Sequence, residues 1–198
     1  MRSPASVKFA LAAALIALGC STTPSDTSES ATASGASGSV LTDRLATAAL
    51  EGNSKAVEAM LPTVDVNAID EGGRTMLMLA SYDGHSPTVR LLCENKANPN
   101  LRDVSRRTAL MYAASGPNAH TVEILLAHGA EVNATDGEEG YTALMFAAAE
   151  GHADIVRMLL ERGADPGLMD IDGESALKFA QDNGHNDVIS LLTEALKR

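Results

Sequence analysis

The chain has 198 residues, with 26 Asp and Glu against 15 Lys and Arg, for a formal net charge of −11 at pH 7. A field of that sign disfavours nucleic acid and anionic lipid head groups as partners. The length suits one domain with short additions rather than several domains.

The N-terminus reads as an export signal. Arg2 and Lys8 are the only charges in the first 19 residues, and Phe9 to Leu18 form an apolar run. That run is too short to cross a bilayer, which takes about 20 residues. It ends in Ala17-Leu18-Gly19-Cys20. No Ala-x-Ala site lies just after it. The tetrapeptide resembles the lipobox of bacterial lipoproteins, with Ala17 where that family usually has Leu. The resemblance implies a signal peptide over 1–19, cleavage before Cys20, and Cys20 as the lipid-attachment residue of the mature chain. Secretion as a soluble chain and retention as an uncleaved anchor remain the other two readings. In that family a residue other than Asp after the Cys directs the protein to the outer membrane, so Ser21 implies the outer rather than the inner membrane. Loss of Arg2 and Lys8 with the signal takes the mature charge to −13.

Residues 21–39 contain only small, polar and acidic types. No core can form from them, so 20–39 reads as a lipidated Cys and a disordered tether. Such a segment spans roughly 25 Å as a coil and at most about 65 Å extended.

From residue 40 the chain repeats itself. Thr75-Met-Leu-Met-Leu-Ala, Thr108-Ala-Leu-Met-Tyr-Ala, Thr142-Ala-Leu-Met-Phe-Ala and Ser175-Ala-Leu-Lys-Phe-Ala begin 33, 34 and 33 residues apart. Each phrase leads to a turn: Gly84-His85, Pro117-Asn118, Gly151-His152 or Gly184-His185. An apolar set at helical spacing follows, such as Ile155, Val156, Leu159 and Leu160. A connector closes the unit: Val64-Asp-Val-Asn, Lys96-Ala-Asn-Pro-Asn, Gly129-Ala-Glu-Val-Asn or Gly163-Ala-Asp-Pro. The pattern predicts two short amphipathic helices, a tight turn between them, and a Gly/Asn/Asp-rich connector.

These residues resemble the ankyrin repeat family. The resemblance covers 41–198 and implies an all-α solenoid of about five stacked helix-turn-helix repeats joined by hairpin loops. The repeats fall near 41–67, 68–100, 101–133, 134–167 and 168–198. The first copy, from Leu45 to Gly52-Asn53, lacks the preceding Thr-Pro and has a connector one residue shorter. The last ends in a polar tail after Leu191-Leu192. Both departures suit caps. Pro117-Asn118 predicts a distorted turn in the third copy, and the fourth carries an extra residue near Glu138-Glu139.

In this register Ala80, Ala113, Ala114, Ala147, Ala148 and Ala180 are small because helices approach closely there. Leu77, Leu110, Leu144 and Leu177 fill the layer between repeats. Met78, Met111 and Met145 stand where the family usually has His, and read as adaptable packing. Cys93 aligns with Leu126 and Leu160 and is expected to be buried.

No constellation for catalysis, cofactor or metal emerges. His85, His152 and His185 occupy the turn, where the family uses His structurally. His120 and His128 have no Cys or paired carboxylate near them. Asp170-Ile-Asp172-Gly173-Glu174 looks like the start of a calcium loop, but Ser175 and Gln181 stand where that loop needs Gly and Glu. No phosphate-cradling loop or nucleophile elbow is present. The chain is therefore expected to be no enzyme.

The family resemblance implies binding of another protein through the hairpin tips and the inner-helix face. The position two after each central Leu holds Thr47, Leu79, Tyr112, Phe146 and Phe179. Two readings stand for this row: aromatic hot spots along a groove, or rings packed against neighbouring hairpins. The tips add Glu71, Arg74, Val104, Arg107, Glu138, Glu139, Tyr141, Ile171, Asp172 and Glu174. With Tyr82, the candidate partner-binding set is Leu79, Tyr82, Arg74, Arg107, Tyr112, Glu138, Glu139, Tyr141, Phe146, Asp172, Glu174 and Phe179. Arg106 and Arg107 lie mid-row, with acids toward the C-terminal end, so a basic protein fits the repeats from 138 onward. The acidity also reads simply as a solubilising surface.

The expectation is a monomeric, non-enzymatic interaction module on the periplasmic side of a bacterial envelope. The lipid anchor is its only membrane contact. Its role is expected to resemble that of toxin-neutralising envelope proteins, or of accessories to oxidative-stress enzymes. A scattered-site hydrolase and a self-associating structural protein are the competing classes.

Overall fold

The computed structural model describes residues 41–197; the signal-like segment, Cys20 and the tether lie outside the described residues. Among the described residues ten helices run in pairs: α1 Asp43–Leu50 and α2 Ser54–Met60, α3 Met76–Tyr82 and α4 Ser86–Glu94, α5 Ala109–Ala114 and α6 Ala119–Ala127. α7 Ala143–Glu150 pairs with α8 Ala153–Glu161, and α9 Ala176–Asn183 with α10 Asn186–Ala195. A 3₁₀ turn at Leu61–Thr63 ends the first pair. Each helix packs mainly against its partner and against the equivalent helices of the adjacent repeats. The array is therefore one-dimensional, and its core is one continuous apolar layer.

In two of the four copies the repeated Thr caps its inner helix with its side chain; Thr108 and Ser175 hold the same position without that bond. Thr75 and Thr142 side chains accept from the amides of Met78 and Met145 at 3.3 and 3.2 Å. Behind them Leu77, Leu110, Leu144, Met78, Met111 and Met145 are buried. The series breaks in the last repeat. Leu177 is only half-buried and Lys178 is exposed, because no further repeat covers them among the described residues. Lys178 instead pairs with Asp182 along α9. Leu177 thus departs from the expected interlayer role.

Turn residues tie the second, third and fifth repeats to the one before. His85 Nε2 donates to the Leu50 carbonyl at 2.6 Å, and His185 Nε2 to that of Ala149 at 2.9 Å. A carbonyl can only accept, so each of these rings carries its proton on Nε2. Asn118 makes the same reach in the third repeat, its amide donating to the Tyr82 carbonyl at 3.2 Å. The Pro117 turn is altered as expected: α5 has six residues where α7 has eight. The link between repeats nevertheless survives.

The connector asparagines form a second ladder. Asn67 Oδ1 accepts from the amide of Asn98 at 2.8 Å, Asn100 Oδ1 from Glu131 at 2.8 Å, and Asn133 Oδ1 from Asp165 at 2.9 Å. Gly167 takes this place in the fourth connector.

Each hairpin is closed by an Asp. Asp70 Oδ1 accepts from Gly72 and Arg74, and Asp170 Oδ1 from Asp172 and Glu174. Asp136 accepts from Glu139, Gly140 and Tyr141. The extra residue of the fourth copy is absorbed there by moving the donors one place along the chain.

Candidate functional site

The inner helices and the hairpins together face one side, as the family resemblance implies. Of the row expected to line that side, Thr47 in the first repeat is exposed, but the other four residues are covered. Leu79 and Phe179 are buried, and Tyr112 and Phe146 keep only 5% and 3% of their surface. The cause is the hairpin, which folds back over the start of each inner helix. Tyr112 donates its phenol proton to Asp103 Oδ2 at 2.6 Å, within its own repeat's hairpin. Tyr141 stands edge-on between Phe146 and Phe179, at centroid distances of 5.9 and 5.5 Å. Burial first, and then the bond to Asp103, hold the Tyr112 phenol above its ordinary pKa. These rings are packing residues, and the hot-spot reading of the row is corrected.

Two further candidates are withdrawn from the surface. Tyr141 is buried. Arg107 is also buried: its Nε lies 3.7 Å from Asp136 Oδ2 of the next hairpin, and its guanidinium sits 5.7 Å over the Phe146 ring. A charge this enclosed needs both partners. Arg74 is half-buried and held by Asp70 Oδ2 at 2.8 Å.

What remains accessible is a different subset. Tyr82 is half-buried, its ring edge-on to Tyr112 at 6.3 Å. Glu138 and Asp172 are exposed at the tips, and Glu139 and Glu174 partly so. The tips also carry Val104 and Ile171, with 76% and 70% of their surface exposed. A row outside the candidate set completes the face: Glu51, Asp83 and Glu150 are all exposed. They sit four residues after Thr47, Leu79 and Phe146. A residue at i+4 shares the helix face one turn on, and here it lies past the hairpin's cover. The spacing could have found them.

Asp170, the first residue of the calcium-like phrase, is buried and spends its Oδ1 on its own hairpin. Among the described residues no group of three His, Cys, Asp or Glu is placed to hold a metal. Also among them, no helix is long and apolar enough to cross a membrane.

Cys93 is a buried free thiol on α4. Burial, and then the charge of Glu94, push it up to about 11 from an ordinary value of 9.0. Between those values the unfolded chain loses the thiol proton while the native chain keeps it. Stability should therefore fall as pH rises through this window. Denaturant midpoints taken from about pH 8 to about pH 11 are expected to drop more steeply for the wild type than for Cys93→Ala. Equal slopes would show that the thiol is as easily ionised folded as unfolded.

A family model described as ankyrin repeats (3 copies) matches residues 45–136, 98–170 and 136–197. The mouse protein "Ankyrin repeat and SAM domain-containing protein 6" is 44% identical over 78 residues, 39% of this chain and 9% of that protein. Its rat counterpart is 42% identical over the same length, with the same coverage. The human "Ankyrin repeat and KH domain-containing protein 1" is 42% identical over 66 residues, 33% of this chain and 3% of that protein. The likeness thus spans under a tenth of each relative. With the helix pairs, capped Thr phrases and tied turns described above, these matches show that the chain belongs to the ankyrin repeat family.

Proposed function

We infer an interaction role for this chain, as ankyrin repeats generally mediate protein–protein interaction. We propose that this chain is a non-enzymatic interaction module that holds one partner protein against its hairpin tips and inner-helix face. It acts as a monomer displayed from a bacterial envelope by a lipid on Cys20, facing the periplasm. The observation that carries the binding reading is the accessible edge formed by half-buried Tyr82 and exposed Asp83 and Glu150 beside the tips. The side chains beneath it are locked in the core, so binding orders few groups. The lipobox-like tetrapeptide and the tether-like composition of 21–39 support the anchored display.

The test is cross-linked capture from intact envelopes with wild type and with a Tyr82→Ala/Glu150→Lys variant. One protein recovered with the wild type and lost with the variant is expected. Recovery of no specific protein, or equal recovery by both, would overturn the reading.

A further inference from the structure

The hairpin tips, taken repeat by repeat, present Glu71, Val104, Glu138 and Ile171, so that acid and apolar side chains alternate along the edge. Val104 and Ile171 are among the most exposed large apolar groups of the described residues. They are not on loose loops. The Val104 amide donates to the Gly72 carbonyl at 3.0 Å and the Ile171 amide to that of Glu139 at 2.9 Å. Each apolar tip is thereby fastened to the preceding hairpin and held outward. Apolar groups displayed on a fixed backbone mark an interaction surface more strongly than scattered exposed ones do.

The charge around them has one dominant sign. Glu71 and Glu138 alternate with the apolar tips, and Glu51, Asp83 and Glu150 line the adjoining helix ends. Of the cations on this face, Arg74 is engaged by Asp70 and Arg107 by Asp136, while Arg106 beside Val104 is exposed, which leaves the acids in excess. A ligand that buries Val104 and Ile171 must bring positive charge alongside, or it would lie against unpaired carboxylates.

We propose that the occupant of this edge is a cationic amphipathic segment of a partner protein. Its apolar side chains cover Val104 and Ile171, and its Lys or Arg side chains meet Glu71 and Glu138. This rests on the interaction-module reading and names the chemistry of the partner.

The experiment titrates the full-length chain into three labelled synthetic peptides, followed by fluorescence anisotropy. One is a leucine–lysine amphipathic peptide. A leucine–glutamate counterpart keeps the apolar face, and a serine–lysine counterpart keeps the charge. Saturable binding of the leucine–lysine peptide alone is expected, weakening with salt. Val104→Ser/Ile171→Ser and Glu71→Lys/Glu138→Lys should each weaken it about tenfold or more. All four positions are at exposed tips, and unchanged thermal melts by circular dichroism verify that the variants fold. Equal binding of either counterpart, wild-type affinity in both variants, or no saturable binding would overturn the proposal. If the envelope capture succeeds while these titrations fail, the interaction module stands and only the chemistry assigned to its partner is wrong.

Discussion

Phe146→Ala lowers the unfolding free energy by about 3–5 kcal/mol, the range for deleting a buried aromatic ring. The ring keeps 3% of its surface exposed, stands edge-on to Tyr141 and lies under the Arg107 guanidinium. Its loss opens a cavity at the base of the fourth hairpin and removes a partner of a buried cation. Domains of this size hold only about 5–15 kcal/mol in total, so the loss takes a large share. Because the repeats support only their neighbours, it also weakens the array near its middle. Urea unfolding followed by far-UV circular dichroism measures the effect. Tyr82→Ala, at a half-buried site, should cost far less. If Phe146→Ala melts like the wild type but loses a partner, the row is a binding surface after all.

The turn at Gly151 carries the second large effect. Its φ is +78°, a left-handed value that costs a residue with a Cβ about 1–2 kcal/mol. A Cβ there would also fall 2.5 Å from Nδ1 of His185. No real contact is that short, so the ring must move. Its bond to the Ala149 carbonyl is then lost, a further cost of about 1 kcal/mol. Gly151→Ala should therefore cost about 2–3 kcal/mol. Gly184 is a built-in control: its φ is +75°, yet a Cβ there meets nothing within 4 Å. Gly184→Ala should cost only the backbone strain, about 1–2 kcal/mol. Equal urea midpoints for the two variants would mean that the histidine link adds no stability.

Much of this architecture could be read from the chain. The 33-residue period gave the repeat, and the Thr phrase located each inner helix. The Leu and Met positions that the period assigned to the core are buried wherever a following repeat exists to cover them. The aromatic row was harder. Helical periodicity assigns Tyr112, Phe146 and Phe179 to a face, but it does not say that the hairpin closes over the early part of that face. Beyond the first repeat, the residues that escape the cover lie further along the helix, such as Tyr82, Asp83 and Glu150. Arg107 was misplaced for a related reason. Its counter-ion, Asp136, belongs to the next repeat, and nothing local announces that pair. Pro117-Asn118 looked like a defect because the family's His is missing. An amide can make the same donation as an imidazole, and only the position of the Tyr82 carbonyl reveals it.

The turn links also give the array a direction. In each one the donor belongs to the later repeat and the acceptor to the earlier: His85 to Leu50, Asn118 to Tyr82, His185 to Ala149. An earlier repeat thus presents its carbonyl before the matching donor has been synthesised, and the donor docks when it emerges. Assembly can then proceed from the N-terminal end, in the order in which a ribosome or an export channel delivers the chain. No repeat has to wait for a distant segment before it closes onto its predecessor.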